Sequence, residues 1–247
     1  MTVIVDRAPA GQADDFTSAV DAVVRRIDPG ARLETLKQLS GGASQELWLI
    51  VARDGEHAIE MVMRRSPGGD CAKRDDAIGL VAEAGVMRAA AAHGVPVPDI
   101  LHVLEPGDGL GTGFLMRRVE GETVARRIFR EPRFAAARPG LARSCGEILA
   151  HIARVPVDQC PPLPAWPARK RLDDAHAVYL AQGQRRPVFD YAFRWLYERL
   201  PARPGELRLV HGDFRNGNLI IDERGVAAVL DWEIAHIGDS MEDLGWL

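Results

Sequence analysis

Three polar residues in apolar surroundings carry the chemistry this sequence can offer: Asp213, Asn218 and Asp231. They lie among three apolar runs: Leu207-Arg208-Leu209-Val210, Leu219-Ile220-Ile221 and Val226-Ala227-Ala228-Val229-Leu230. Oxygen donors of this kind suit a hard cation such as magnesium, which takes one or two carboxylates and completes its shell with substrate phosphates. Arg215, two residues beyond Asp213, adds a fixed positive charge. A carboxylate to take a proton, oxygens for a cation and an arginine for developing negative charge are what phosphoryl transfer asks of a protein. His211 stands in the same stretch. No Ser or Cys nucleophile arrangement accompanies it, so its expected role is to shape the loop.

Composition narrows the class. The chain has 247 residues, 47 % of them apolar, which allows one large domain or two lobes. No run reaches the roughly 18 apolar residues of a membrane span. Met1 to Arg7 has no apolar core of the kind a signal peptide needs, so a cytoplasmic protein is expected. A net charge of -4 argues against nonspecific nucleic-acid binding. Cys71, Cys145 and Cys160 lack metal-ligand spacing and read as reduced thiols. Only Lys37, Lys73 and Lys170 are lysines, so a phosphate-binding cation should be Arg.

The elements that must position the polar set follow from periodicity. Asp14 to Ile27 has apolar residues at helical spacing, and Asp28-Pro29-Gly30 ends it. Leu33 to Leu39, Leu47 to Ala52 and Ala58 to Arg64 read as strands, the last two joined at Asp54-Gly55. Between the first two lies Ser40-Gly41-Gly42-Ala43-Ser44. Glycines there let backbone N–H groups approach a phosphate, although Gly-Gly also makes an ordinary turn. Asp76 to His93 reads as a helix with Glu83 near its apolar face, where an acid needs a partner; Arg64, closing the third strand, is the obvious one. Ile100 to Leu104 and Phe114 to Val119 are strands, and the pattern breaks at Glu120-Gly121. Beyond it, Thr123 to Phe129, Phe134 to Val155 and Val188 to Leu200 read as helices. Strands followed by helices imply an α+β fold with a boundary near Gly121.

An Asp, an Asn five positions on and a second Asp after a short hairpin is the spacing of a kinase catalytic loop and its metal-binding Asp. On Asp213, Asn218 and Asp231 the sequence resembles the aminoglycoside phosphotransferase family, the small-molecule branch of the protein-kinase-like fold. The flavour of Met116-Arg117-Arg118-Val119-Glu120-Gly121 and Asp243-Leu244-Gly245-Trp246 resembles the branch related to domains fused to acyl-CoA dehydrogenases. The resemblance implies two lobes, an antiparallel-sheet N-lobe and a mostly helical C-lobe. Residues 1–30 would be a helical extension, 31–120 the nucleotide-binding N-lobe and 121–247 the C-lobe. It implies ATP, or GTP, with Mg2+ as cofactors and a small-molecule hydroxyl as acceptor. Asp213 would be the catalytic base and Arg215 would neutralise charge. Asn218 and Asp231 would hold metal. Gly41, Gly42, Ser44, Arg64 and Glu83 would serve the phosphates, with Met116 and the backbone of Arg117 and Val119 at the base. Asp239 would cap the next helix, and Asp243 would brace the catalytic loop. Protein kinases carry Arg where Gly212 stands, so regulation through that Arg is not expected.

A non-catalytic nucleotide-binding module is the alternative, and the intact polar set speaks against it. A metal-dependent hydrolase would be expected to show more His ligands. Leu247 falls where family members continue into further helices, so the C-lobe is expected to be incomplete, with apolar surface exposed.

Overall fold

Alternating apolar residues build a six-stranded sheet in the computed structural model, which describes residues 4–6, 12–41, 45–68, 77–201 and 205–246. β1 (Ile4–Asp6) precedes α1 (Gln12–Ile27); β2 (Arg32–Gly41), β3 (Glu46–Asp54) and β4 (His57–Ser66) follow. α2 (Leu80–Ala92), β5 (Ile100–Val103) and β6 (Thr112–Arg117) complete the N-terminal half. The sheet order is β1-β2-β3-β4-β6-β5, antiparallel except for β1, which runs parallel to β2. The edge strand β1 was not expected from the sequence.

Period two decides which way Arg64 faces. Trp48, Ile50 and Ala52 of β3 and Met61 and Met63 of β4 are buried against Val20, Val23 and Val24 of α1. Arg64 follows Met63, so it projects from the opposite face, toward the cleft. α2 starts at Leu80, later than expected, because Ile78 is tied to the other half of the molecule: its N–H donates to Glu233 O at 2.8 Å. Gly94, at φ 81, ends α2 while Val95 N–H reaches back to Ala90 O at 3.1 Å. The inner side chains of α2 join a second core with Phe114, Phe214, Leu219, Val229 and Trp232, so this helix packs downward onto the strands that carry the polar set.

Past β6 the chain becomes mostly helical. α3 (Ala125–Arg130), α4 (Leu141–Ile152), the two-residue β7 (Ala165–Trp166), α5 (Ala168–Ala181) and α6 (Pro187–Arg199) follow one another. The single helix expected over 134–155 is corrected here: short 3-10 turns occupy Pro132–Phe134 and Arg138–Gly140, and α4 begins only at Leu141. Pro139 has no N–H to donate, so an α-helix running through it would lose a bond and clash. α5 was not expected. β8 (Arg208–Val210), β9 (Leu219–Ile221), β10 (Val226–Val229) and β11 (His236–Gly238) carry the polar set. β9 and β10 form an antiparallel hairpin, and β11 lies between β8 (antiparallel) and β7 (parallel). The chain then turns through a 3-10 segment, Ser240–Gly245. Among the described residues no helix is long and apolar enough to cross a membrane. Cys145 is buried and Cys160 half-buried, both free; Cys71 lies outside the described residues. Apolar side chains are exposed on α5 and α6, among them Val178, Val188 and Tyr191.

Candidate active site

The loop between β8 and β9 is held by buried polar bonds. Asp243 reaches back to it: Oδ2 accepts from His211 N–H at 2.9 Å and Oδ1 from Gly212 N–H at 2.8 Å. Gly212 has φ 85, and a Cβ there would sit 2.8 Å from Ile234 O, so no larger residue fits without a shift. The position where protein kinases carry Arg is therefore closed by backbone. His211 is buried against Trp232, with ring centroids 4.6 Å apart. Its Nε2 lies 3.0 Å from Leu230 O, and its Nδ1 accepts from Asp213 N–H at 3.2 Å. A carbonyl only accepts, so Nε2 carries the proton and the ring is neutral. It is a loop-shaping residue, as its sequence context implied.

Asp213 is thereby set at the mouth of the cleft. Asn218 Nδ2 donates to Asp213 Oδ2 at 2.7 Å and to its carbonyl at 2.9 Å; Arg215 Nε donates to Oδ1 at 2.8 Å. The Asn218 amide nitrogen is spent on Asp213, and the residue lines a cavity together with Asp231. Asp231 is the one non-glycine residue with positive φ among the described residues, at 64°. Such a conformation costs energy and persists where the surroundings dictate it; here it aims the carboxylate into the cleft. An amide oxygen and a carboxylate fit a magnesium ion. Among the described residues no group of three or more His, Cys, Asp or Glu could hold a metal alone, so substrate phosphates would have to complete the shell.

Arg64 is the junction of the cleft. Its Nη1 donates to Glu83 Oε1 at 2.6 Å and Asp231 Oδ1 at 2.9 Å; its Nη2 to Glu233 Oε2 and Gln45 Oε1, both at 3.0 Å; its Nε to Gln45 Oε1 at 3.3 Å. A guanidinium has five N–H donors, and all are engaged. It can grip a nucleotide phosphate only when one partner yields. Burial disfavours its charge, but Glu83, Asp231 and Glu233 outweigh that and raise its pKa. Burial pushes the Glu83 carboxyl up to about 7, against the pull of Arg64. The pairing of Arg64 with Glu83 inferred from sequence is thus present in the geometry, with Gln45 and Glu233 as partners sequence reasoning did not assign. Removing Arg64 or Glu83 alone leaves a buried charge. We expect Arg64→Ala and Glu83→Ala each to weaken nucleotide affinity, and the double variant to lose less than their sum by about 0.5–3 kcal/mol. Additive losses in calorimetric titrations would break the pairing.

Two cavities meet at Asp231. One, of about 290 Å³, is walled by Leu47, Met87, Phe114, Met116 and Leu230, with Arg64, Glu83 and Asn218 at its polar end. The other, of about 540 Å³, is lined by Arg171, Asp213, Arg215, Glu233 and Trp246. Met116 lines the first cavity. Arg117 N–H is already donated to Asp99 O at 2.8 Å, so its carbonyl is what it can present to a base. Val119 does not line the first cavity; it borders a separate one with Gly121 and Arg133. Gly42 and Ser44 lie outside the described residues, and Gly41 ends β2. Asp239 caps the following 3-10 turn rather than an α-helix, its Oδ1 accepting from Met241 N–H at 3.0 Å.

Burial gives the site offsetting pH responses. His211 is lowered from 6.5 to about 4 by desolvation. The stability it contributes is complete above its unfolded pKa and is lost as pH falls toward 4. Glu83 is raised from 4.5 to about 7, and Asp243 from 3.8 to about 6, both mainly by burial. Each favours folding progressively as pH falls from its folded to its unfolded value. The terms oppose over pH 7 to 4.5. With Glu83→Gln one offset is gone, so stability between pH 7 and 5 should fall more steeply than in the wild type. Urea titrations at both pH values check this; parallel curves would contradict it.

A β-sheet lobe joined to a mostly helical lobe, with Asp213, Asn218, Asp231 and the Arg64–Glu83 pair facing one cleft, is a protein-kinase-like architecture. The sequence pattern of the Phosphotransferase enzyme family matches residues 35–247, and the chain belongs to that family. It is 27 % identical over 230 residues to acyl-CoA dehydrogenase family member 10 of Mus musculus; the match covers 85 % of this chain and 20 % of that protein. The chain thus spans about a fifth of that relative's length. Among solved structures it resembles a putative aminoglycoside phosphotransferase from Ralstonia eutropha, with TM-score 0.73 and 24 % identity over 93 % of this chain and 68 % of that one. A thermostable mutant of aminoglycoside phosphotransferase APH(4)-Ia, in a ternary complex with AMP-PNP and hygromycin B, aligns with TM-score 0.60 and 20 % identity. That alignment covers 92 % of this chain and 75 % of that one. These likenesses show the fold.

Proposed function

We propose that this chain transfers the γ-phosphoryl group of ATP, or of GTP, to a hydroxyl of a small molecule. The observation that carries the reading is the convergence of Asp213, Asn218, Asp231 and the Arg64–Glu83 pair on two cavities that share Asp231. Asp213 orients the acceptor hydroxyl and takes its proton as the acceptor oxygen bonds to phosphorus. The bond from phosphorus to the β-phosphate oxygen breaks, giving a phosphate monoester and the nucleoside diphosphate. Asn218 Nδ2 and Arg215 Nε keep the Asp213 carboxylate in place. Arg64 holds the nucleotide phosphates once one of its partners yields, and Arg215 faces the charge that builds on the transferring group. Magnesium held by Asn218 and Asp231 would neutralise phosphate charge.

The neighbour that holds AMP-PNP and hygromycin B supports a nucleotide together with a small-molecule acceptor. The curated relative's acyl-CoA dehydrogenase name brings hydroxylated acyl compounds in beside aminoglycosides as candidate acceptors. We read the site as cytoplasmic chemistry with no role for nucleic acid or membrane. A screen of hydroxylated small molecules for stimulated ADP release tests the proposal. Acceptor-dependent release that is lost without magnesium is expected. Nucleotide binding with no release for any acceptor would favour a binding module instead.

A further inference from the structure

The cavity of about 540 Å³ in front of Asp213 contains an arginine that the phosphoryl-transfer machinery does not use. Arg171 lies on α5, and its guanidinium is built into place. Its Nη2 and Nε donate to Glu242 Oε1 at 2.9 and 3.3 Å, and its Cζ lies 4.8 Å from the centre of the Trp166 ring. Glu242 is itself positioned, with Oε2 3.2 Å from Nε2 of the buried His236, and the His236 ring packs on Trp166 at 4.7 Å. Three side chains from three segments thus fix one cation. Its Nη1 makes no hydrogen bond or ion pair among the described residues, so its donors remain for a ligand.

Each acid on the same cavity is bonded through at least one oxygen. Asp213 is bonded by Arg215 and Asn218; Asp231 and Glu233 are bonded by Arg64. An anionic acceptor finds in this cavity a pre-oriented guanidinium with Nη1 unspent among the described residues. Fixing the cation in advance spares the ordering cost of binding, and a planar fork suits carboxylate and phosphate alike.

We infer that Arg171 is a specificity-determining residue that binds an anionic group, a carboxylate or a phosphate ester, on the acceptor whose hydroxyl meets Asp213. The inference rests on the phosphotransferase reading above for the identity of the ligand as acceptor. The test measures ADP release with magnesium-ATP and a panel of hydroxycarboxylic acids, their neutral methyl esters, hydroxylated phosphate monoesters and amino alcohols. At least one of the two anionic sets should exceed the neutral esters tenfold or more in kcat/KM, and which one does so identifies the group. Arg171→Gln should lose at least ten times more on that set than on the esters, mainly through KM, and Arg171→Lys should recover part of it. Preference for amino alcohols, or equal losses on charged and neutral acceptors, overturns the assignment. Tryptophan fluorescence separates this from failure of the phosphotransferase reading. If nothing is turned over, a saturable change in wild-type emission on adding hydroxycarboxylates or phosphate monoesters, absent in folded Arg171→Gln, still supports the anion site. No saturable change overturns it.

Discussion

Asp213→Asn should turn over acceptor about 100- to 10,000-fold more slowly than the wild type, the usual cost of losing a general base. Nucleotide affinity should be nearly unchanged. The carboxylate lies on the acceptor side of Asp231, among Arg171, Arg215 and Trp246, and does not line the cavity walled by Met116 and Leu230. The substitution keeps shape but leaves one acceptor oxygen, so the side chain keeps either the Asn218 or the Arg215 bond; the bond from Asn218 to the Asp213 carbonyl is untouched, so the loop should hold. Single-turnover rates and calorimetric nucleotide titrations with magnesium decide it. A fall in affinity that matches the fall in rate would move Asp213 to the nucleotide side and remove it as the base.

Asp243→Ala should be the most damaging substitution to the loop itself. It strips the acceptors from two N–H groups, those of His211 and Gly212, in a buried setting. Each unsatisfied buried donor costs about 1–3 kcal/mol. The carboxylate is itself held at a cost, since burial raises its pKa to about 6, and the alanine relieves that part. A net loss of roughly 2–4 kcal/mol is therefore expected. Activity should fall further than stability explains, because Asp213 N–H is bonded to the ring of His211. Asp243→Asn, which retains one acceptor oxygen, should fall between. Denaturant titration together with kcat at saturating nucleotide is the measurement. Wild-type stability in the alanine variant would show that the two bonds brace nothing.

What the sequence disclosed depended on how local the physics is. Asp213, Asn218 and Asp231 were legible because the set spans few residues and a hairpin turn brings its ends together. The placement of Arg64 followed from the period of β4, and that of Glu83 from its position in a helical pattern. The bonds from Arg64 to Asp231 and Glu233 were not legible, since they join residues 167 and 169 positions apart. α5 escaped because it is rich in charged residues, and of its side chains only Tyr179 is buried. β7 and β11, at two and three residues, are too short to show alternation. The reading of 134–155 as one helix followed an apolar spacing that continues across Pro139, where the backbone cannot follow it. Arg171 gave no signal at all, because its partners Glu242 and Trp166 come from distant segments.

The brace from Asp243 to the loop between β8 and β9 also fixes an order of events during synthesis. The core of α1 and its sheet draws its buried residues from Val20 to Leu115, so that half can pack while the rest of the chain is still emerging from the ribosome. The loop of Asp213 cannot. Its two anchoring acceptors arrive 31 and 32 residues after the groups they hold, so the loop remains unbraced until Asp243 has cleared the exit tunnel. A nascent chain can therefore complete its upper scaffold before the Asp213 carboxylate is set in place.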